Sequence, residues 1–201
     1  MENEIEYFVR EDFNYDLISE AAKLHVEHLS DHGFLTLFGS KFIMELYKDI
    51  LKNKSGFFIF ATYKKKVCGF VLGSVDSSMM FRIIMKKFPK YLKIIFPFIF
   101  RKPQIIPKLF ETLFYVNKQH TRIKPELVVI ITDSSHRSAG IGSHLVSLLN
   151  MEFLKRKVNQ YKVTVHDVKE RSNNFYLKNG FRFAATFPMY NLKWNMYIKQ
   201  L

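Results

Sequence analysis

Apolar and polar residues recur along the first half of the chain with periods that predict strands and helices. Residues 4–10 alternate between two faces, which predicts a first strand. Apolar residues recur every three or four positions over 15–29 and 40–51, which predicts two amphipathic helices. Two apolar runs, 56–63 and 67–75, flank a short run of lysines and therefore predict an antiparallel hairpin.

The second half of the chain predicts one parallel crossover within a mostly antiparallel sheet. Residues 127–131 are apolar without alternation, as expected of a strand that is buried on both faces. The elements that follow are a helix from Ile141, a strand over 161–168, a short helix over 171–179 and two closing strands over 181–187 and 191–199. This order predicts an α/β fold in which a mixed, mostly antiparallel sheet is flanked by helices.

The segment between the third and fourth predicted strands differs in composition from the rest of the chain. Residues 79–125 contain eleven lysines and arginines but one acidic residue, which gives the segment a net charge of +10. The segment also holds five of the six prolines and seven of the twenty-one phenylalanines. We therefore predict an insertion of one or two short, basic, amphipathic helices, broken near Pro89, Pro97, Pro103 and Pro107.

Length, charge and cysteine content narrow the class of protein. A chain of 201 residues fits a single domain, which we assign to residues 1–201. The net charge of +13 favours an anionic partner, such as a nucleic acid, a membrane surface or a phosphorylated small molecule. Cys68 is the only cysteine, so we expect no internal disulfide and no cysteine-based metal site. The acidic N-terminus and the lack of a long apolar run predict a cytoplasmic protein without a signal peptide or transmembrane helix.

A turn that contains two glycines joins the buried central strand to the next helix. It reads Arg137-Ser-Ala-Gly140-Ile-Gly142-Ser143, and glycines let a ligand approach the backbone closely. The N-terminus of the following helix offers N–H groups and a partial positive charge, which suit a pyrophosphate, and His136 and Arg137 add positive charge. The string lacks the lysine of a Walker loop and the third glycine of a dinucleotide-binding fingerprint. On its own it is more typical of an ordinary turn between a strand and a helix.

A second motif changes this interpretation. Tyr176 lies 34 residues after Gly142 and is followed by Gly180 and Phe181 at the end of the later short helix. With both motifs in this order, the sequence resembles the GNAT superfamily of acyltransferases, which use acyl-coenzyme A. The family patterns are [QR]-x-x-G-x-[GA] and Y-x-x-x-G-F, and the residues that match them are Arg137, Gly140, Gly142, Tyr176, Gly180 and Phe181.

The resemblance covers residues 126–190 and departs from the family at two positions. Ser134 stands near a position where the family often has proline, in the turn after the central strand. Lys169 stands where the family often has asparagine, seven residues before the helix tyrosine. The second departure weakens one expected contact with the cofactor but leaves the pyrophosphate loop complete.

The resemblance implies an acetyl-CoA-dependent N-acetyltransferase that needs no metal. The acceptor amine would attack the thioester directly in a ternary complex, and a backbone amide of the central strand would hold the developing charge on the thioester oxygen. Tyr176 would act as general acid and protonate the leaving thiolate, and the alternative is a core aromatic next to Phe175. The residues implied in cofactor binding are Ile131, Thr132, Arg137, Ser138, Ala139, Gly140, Ile141, Gly142, Ser143 and Asn173.

The general base is left open. Many relatives carry a glutamate within the central strand, whereas Glu126 lies at its start. His25, His28 and His32 are spaced to share a helix face near the end of the first helix, where relatives bind the acceptor. This spacing is more typical of surface histidines, and no carboxylate–histidine motif completes a metal site. The amine can also lose its proton to water without a dedicated base.

The acceptor is expected to be a primary amine of a small molecule, with an amino-sugar nucleotide as one candidate. The basic segment 79–125 can attract a phosphorylated acceptor, contact a membrane surface through 79–102, bind nucleic acid, or form packed helices with solvated lysines. The last interpretation is the most ordinary one, and a nucleic acid is not expected as a partner. A non-catalytic module that binds acyl-CoA, a membrane surface or a partner stays an alternative, which a turnover measurement distinguishes.

Overall fold

Seven strands form one sheet in the computed structural model, which describes residues 5–29, 34–113, 121–136 and 139–201. The strands are β1 (Glu6–Arg10), β2 (Phe57–Tyr63), β3 (Lys66–Ser74), β4 (Glu126–Thr132), β5 (Gln160–His166), β6 (Arg182–Met189) and β7 (Leu192–Gln200). They lie in the order β1-β2-β3-β4-β5-β7-β6, and every neighbouring pair is antiparallel except β4 and β5. The mixed, mostly antiparallel sheet that the sequence predicts is therefore confirmed.

Helices cover both faces of this sheet. They are α1 (Tyr15–Leu29), α2 (Gly39–Lys52), α3 (Ser77–Lys86), α4 (Phe88–Arg101), α5 (Ile106–Leu113), α6 (Ile141–Lys155) and α7 (Glu170–Lys178). Both faces of the sheet are apolar, as strand β2 shows: Phe58 and Phe60 belong to one core, and Phe57 and Ile59 belong to the other. Helices α1 to α5 supply residues to the first core, and α6 and α7 supply the second. Among the described helices, none has the length and apolar character needed to cross a membrane.

The ends of the elements follow local chemistry. Asn14 caps α1, because its Oδ1 accepts a hydrogen bond of 3.1 Å from the N–H of Leu17. The predicted end of this helix at Gly33 lies outside the described residues. A 3₁₀ turn, Phe34–Phe38, precedes α2 and was not predicted, since five residues are too few to show a helical period.

The described residues between β3 and β4 form three α-helices, where the sequence predicts one or two. The predicted break near Pro97 is wrong, because Pro97 lies inside the continuous helix α4. Pro97 removes one backbone hydrogen bond, and burial of Tyr91 and Ile95 on the inner side of α4 offsets that loss. Pro89 lies in the first turn of α4, where its missing N–H costs nothing.

The other two prolines coincide with the ends of helices. Pro103 begins a 3₁₀ turn, Pro103–Ile105, one residue after the end of α4, and Pro107 lies in the first turn of α5. Residues 114–120 of the basic segment lie outside the described residues. Two further points stay predictions: segment 79–125 is an insertion, and residues 1–201 form one domain.

A buried carboxylate attaches α4 to α2. Asp49 accepts hydrogen bonds from Lys87 Nζ at 2.8 Å, Lys90 Nζ at 2.7 Å and Tyr91 Oη at 2.8 Å, and Glu45 accepts one from Lys90 Nζ at 2.7 Å. Burial alone would raise the pKa of Asp49, but these hydrogen bonds outweigh it and hold the pKa below its ordinary value. Asp49 therefore fixes the first turn of α4 to the body of the protein.

Candidate active site

The parallel strands β4 and β5 separate soon after they begin. Within the described residues, their single paired position joins Glu126 and Lys162, next to a hydrogen bond of 3.0 Å from Lys162 N to Pro125 O. Both side chains are buried, with Lys162 Nζ 3.7 Å from Glu126 Oε2. Burial raises the pKa of Glu126 and lowers that of Lys162. This ion pair lies at the closed end of the gap, so Glu126 is not a base at its open end.

On its other side, β4 pairs with β3 through a bulge. Leu72 pairs with Val129 and Gly73 pairs with Leu127, so Val128 is an extra residue in β4. A bulge increases the local twist and turns backbone groups away from the regular ladder. The bulge and the gap together leave the carboxyl half of β4 with backbone groups that face away from β3.

The two glycines of the loop suit their positions for different reasons, Gly140 through its backbone conformation and Gly142 through its close neighbours. Gly140 has φ +74°, a left-handed conformation that favours glycine, and it precedes the first residue of α6. A Cβ on Gly142 would lie 3.2 Å from Phe175 Cε2 and 3.6 Å from Thr132 Oγ1. The first turn of α6 therefore presents its N–H groups beside a bare backbone, which fits the pyrophosphate of a coenzyme A.

The other predicted cofactor residues differ in their surroundings. Ile131 and Ile141 have side chains buried in the two cores, whereas Ala139, before α6, and Ser143, in its first turn, are exposed. Thr132 is half-buried and pairs with Gly69 of β3. Arg137 and Ser138 lie outside the described residues. The roles of all these residues stay predictions.

Asn173 is held by protein groups on every side. Its Nδ2 donates to the carbonyl oxygens of His166, Asp167 and Lys169 at 2.8–3.1 Å. Its Oδ1 accepts from Tyr197 Oη at 2.7 Å and from Asn195 Nδ2 at 3.0 Å. These bonds use the donors and acceptors of a side-chain amide, so they fix the start of α7 to the end of β5. The predicted role of Asn173 in cofactor binding is untested.

The hydroxyl of Tyr176 differs from those of the other buried tyrosines. Tyr47, Tyr91, Tyr161 and Tyr197 each make a hydrogen bond through Oη, to His25, Asp49, Asn150 and Asn173 respectively. Tyr176 packs against the rings of Phe175, Phe181 and Tyr197, and no described residue makes a hydrogen bond with its hydroxyl. Burial raises the pKa of Tyr176 well above its ordinary value, so the phenol stays protonated at neutral pH. The hydroxyl is therefore available as a donor to a ligand.

A group of polar side chains surrounds the end of β4. The sequence did not predict that these side chains come together. Asp133 Oδ2 accepts a hydrogen bond of 2.6 Å from Ser135 Oγ, and His136 Nδ1 lies 3.4 Å from the same oxygen. Hydrogen bonds to Asp133, of which that from Ser135 Oγ has the largest effect, lower its pKa to about 2. His28 Nε2 lies 3.7 Å from Asp133 Oδ1, which brings the end of α1 to the end of β4.

The predicted histidine face is divided by the fold. His25 is bonded to the hydroxyl of Tyr47, and burial lowers its pKa to about 4, so it is neutral at physiological pH. His28 faces Asp133, and His32 lies outside the described residues. Within the described ranges, no three histidine, cysteine or acidic side chains come together as metal ligands would.

A cavity opens between the end of α4 and the 3₁₀ turn Phe34–Phe38. Its volume is about 240 Å³, and it is lined by Leu37, Phe98, Arg101, Lys102 and Ile105. The cavity combines apolar walls with two cationic side chains, so it suits a ligand that carries both an apolar part and a negative charge.

Comparison with known families decides the assignment. Residues 21–181 match the model of the Acetyltransferase (GNAT) family, which is most of the chain. The chain belongs to this family of acetyltransferases. Membership agrees with the glycine loop and the second motif, and it makes the protein an acetyltransferase.

Solved structures with the same fold include other members of the GNAT family. A Desulfovibrio desulfuricans protein described as a GNAT acetyltransferase has a TM-score of 0.61 at 12% identity, over 98% of this chain and 99% of that one. Ard1 from Thermoplasma volcanium has a TM-score of 0.58 at 15% identity, over 97% of both chains. A chain of the NatC complex, solved with Gag peptide and CoA, has a TM-score of 0.61 at 12% identity, over 98% and 99%. Because these identities are low, the likeness shows the fold alone. The comparison with curated proteins found no match to the sequence.

Proposed function

We propose that this acetyltransferase moves the acetyl group of acetyl-CoA to a primary amine of a small molecule, by direct attack in a ternary complex. The observation that supports this most is the gap between β4 and β5, which share a single paired position at Glu126 and Lys162. A gap bordered by backbone N–H and C=O groups suits the amide-containing pantetheine arm. The start of α6 would then hold the pyrophosphate through the N–H groups around Gly140 and Gly142.

In this proposal Tyr176 supplies a proton to the leaving thiolate. The thioester carbon loses its bond to sulfur and gains one to the nitrogen of the acceptor, and the phenol proton goes to the sulfur. The nitrogen loses one proton to water, and the phenolate takes one back from water, so the step balances. A thiol has a pKa near 8.5, so transfer from a phenol whose pKa burial has raised is uphill. The apolar ring cluster around Tyr176 reduces this difference, because a thiolate next to it is also destabilised and the pKa of the thiol rises as well.

The cavity at the end of α4 supports a phosphorylated acceptor. It is lined by the 3₁₀ turn that follows α1, and the resemblance to the family implies acceptor binding around the end of α1. Arg101 and Lys102 can bind phosphate oxygens, and the apolar walls can contact a sugar or base. An amino-sugar nucleotide has both features, and we propose this class of acceptor first.

The cofactor assignment is tested by thermal unfolding with acetyl-CoA. A ligand at about 100 times its dissociation constant adds about 2.7 kcal/mol to the free energy of unfolding. For a chain of this size the melting temperature should rise by roughly 5–10 °C. The absence of any shift with acetyl-CoA or longer acyl-CoAs would reject the cofactor and leave the fold intact.

The role of Tyr176 is tested by two matched variants. Tyr176→Phe should lower kcat at least about tenfold with little change in melting temperature, because no described residue bonds to the hydroxyl. Tyr161→Phe, the control, should lower the free energy of unfolding by about 1 kcal/mol, because it loses the bond to Asn150, and should keep kcat. Equal turnover in Tyr176→Phe and wild type would defeat the general-acid role.

The acceptor class is tested by comparing two substrates. An amino-sugar nucleotide and the same free amino sugar should both accept the acetyl group, and the nucleotide should have the lower KM. In Arg101→Ala/Lys102→Ala the KM of the nucleotide should rise at least about tenfold, since charge-assisted bonds to phosphate are lost. The KM of the free sugar should stay the same, and equal effects on both would reject the phosphate assignment.

A further inference from the structure

The outer side of α4 carries a stripe of large apolar residues. Leu92, Phe96 and Phe100 follow one another at intervals of four, and they are 37%, 57% and 83% exposed. Tyr91 and Ile95 on the inner side are 1% and 3% exposed. The helix is therefore apolar on both sides, and its packing against the core explains only the inner side.

Basic residues on this outer side differ from those on the inner side. Lys87 and Lys90 are bonded to Asp49 and Glu45, which neutralises their charge within the protein. Lys93 of α4 and Lys86, the last residue of α3, are exposed, and no described residue forms an ion pair with either of them. The outer side of α4 and the end of α3 therefore carry positive charges that no described acidic residue neutralises.

The neighbouring helices continue the same combination. Met85 at the end of α3 is 43% exposed, and Ile106 and Phe110 of α5 are 38% and 57% exposed. All three helices turn their other side to the first core, through residues such as Met80 and Leu109. We call the exposed residues Met85, Lys86, Leu92, Lys93, Phe96 and Phe100 the α4 face.

We propose that the α4 face docks on an anionic membrane surface, with its apolar side chains in the interfacial layer and its lysines at the lipid headgroups. Helices that lie in such an interface combine one apolar side with lysines and arginines in this way. Negative lipids complement the charge of the surrounding segment, which has one acidic residue among eleven basic ones over 79–125. This inference does not depend on the proposed acceptor or on the role of Tyr176.

The same observations disfavour two other partners. A second copy of the α4 face would bring lysines of like charge together, which opposes association. A single-stranded nucleic acid binds by stacking successive bases on aromatic rings. Phe96 and Phe100 are rings, but Met85 and Leu92 of the α4 face offer none, so the face does not form a continuous stacking surface. An anionic lipid surface accepts aliphatic and aromatic side chains alike.

The test is sedimentation of the purified full chain with lipid vesicles. Vesicles of phosphatidylcholine mixed with phosphatidylglycerol should bind the protein at low salt, and pure phosphatidylcholine vesicles should bind it at least about tenfold more weakly. High salt should release it, because screening weakens the attraction to the headgroups. No binding to the mixed vesicles at low salt would overturn the proposal.

Two double variants test whether binding depends on the α4 face or on the overall charge and hydrophobicity of the protein. Phe96→Ser/Phe100→Ser and Lys86→Glu/Lys93→Glu should each weaken binding to mixed vesicles at least about tenfold, with acetyl-CoA turnover unchanged. If the first pair fails to fold, Phe100→Ser alone, at the most exposed position, serves in its place.

The matched controls lie on other helices. Met151→Ser/Leu154→Ser changes two α6 residues that are 55% and 53% exposed, and Lys23→Glu/Lys178→Glu changes two exposed lysines. Both controls should bind mixed vesicles as wild type does. Equal losses in the controls and the α4-face variants would overturn the proposal, as would a dimer in solution that Phe96→Ser/Phe100→Ser dissociates.

Discussion

Replacing Asp49 by asparagine tests how α4 is held to the protein. Asp49→Asn keeps the shape of the side chain and can still accept the 2.8 Å hydrogen bond from Tyr91, but it removes the charge that binds Lys87 and Lys90. The Asp49 side chain is 4% exposed, whereas Lys87 and Lys90 are 35% and 39% exposed and can turn to water. The variant therefore loses an ionic network without burying a bare ammonium.

The expected magnitude follows from these exposures. A hydrogen bond to a buried charged group contributes about 1.5–3 kcal/mol. Solvent screening at the two partly exposed lysines reduces the sum, and we expect a loss of about 2 kcal/mol in the free energy of unfolding. For a chain of this size the melting temperature should fall by about 4–8 °C. Glu45→Gln, the control, loses the ion pairs with Lys90 and Lys48 at the surface and should cost about 1 kcal/mol or less.

Thermal unfolding at neutral and acid pH provides the assay. The pKa of Asp49 is lowered in the folded protein, so its contribution is present above the unfolded pKa and is lost as the pH falls through the folded one. The difference between wild type and Asp49→Asn should therefore close at low pH. A difference that is the same at every pH, or a melting temperature within about 1 °C of wild type at neutral pH, would refute the ionic account.

Three further predictions concern the two cores and the glycine loop. Gly142→Ala should keep the thermal stabilisation by acetyl-CoA, since its Cβ, 3.2 Å from Phe175, needs only a small shift of that ring. Gly142→Leu should abolish the stabilisation, while circular dichroism shows that the variant is still folded. Burial lowers the pKa of His25 from 6.5 to about 4, so wild type should lose stability as the pH falls between these values, and urea unfolding of His25→Gln should show a flatter dependence. Lys162→Met should cost about 3–5 kcal/mol in urea unfolding because it leaves Glu126 buried and unpaired, and adding Glu126→Leu should restore most of that loss.

The order of strands and helices could be predicted because each element has its own periodic signal. β2 and β3 read as one hairpin, and Gly180 ends α7 with φ +79° as its position predicts. The prediction failed where tertiary packing overrides a local rule. Pro97 is a strong helix breaker in the sequence, but α4 continues through it because both neighbouring turns bury side chains in the first core.

The candidate site could be predicted where it depends on backbone and could not where it depends on contacts between distant elements. The bare backbone at Gly140 and Gly142 is visible in the motif itself. By contrast, the approach of His28 to Asp133 joins residues more than a hundred positions apart. The available hydroxyl of Tyr176 becomes apparent only when the partners of the other buried tyrosines are known.

The separation of β4 from β5 has a consequence for amide hydrogen exchange. Along β4, alternate N–H groups point to β3, where a ladder protects them, and the others point into the gap beyond Glu126 and Lys162. Protected amides should exchange slowly with deuterium, and those in the gap should exchange quickly, although both belong to the same central strand. A ligand whose amides occupied the gap would slow the second set alone, so the exchange pattern of one strand would report its presence residue by residue.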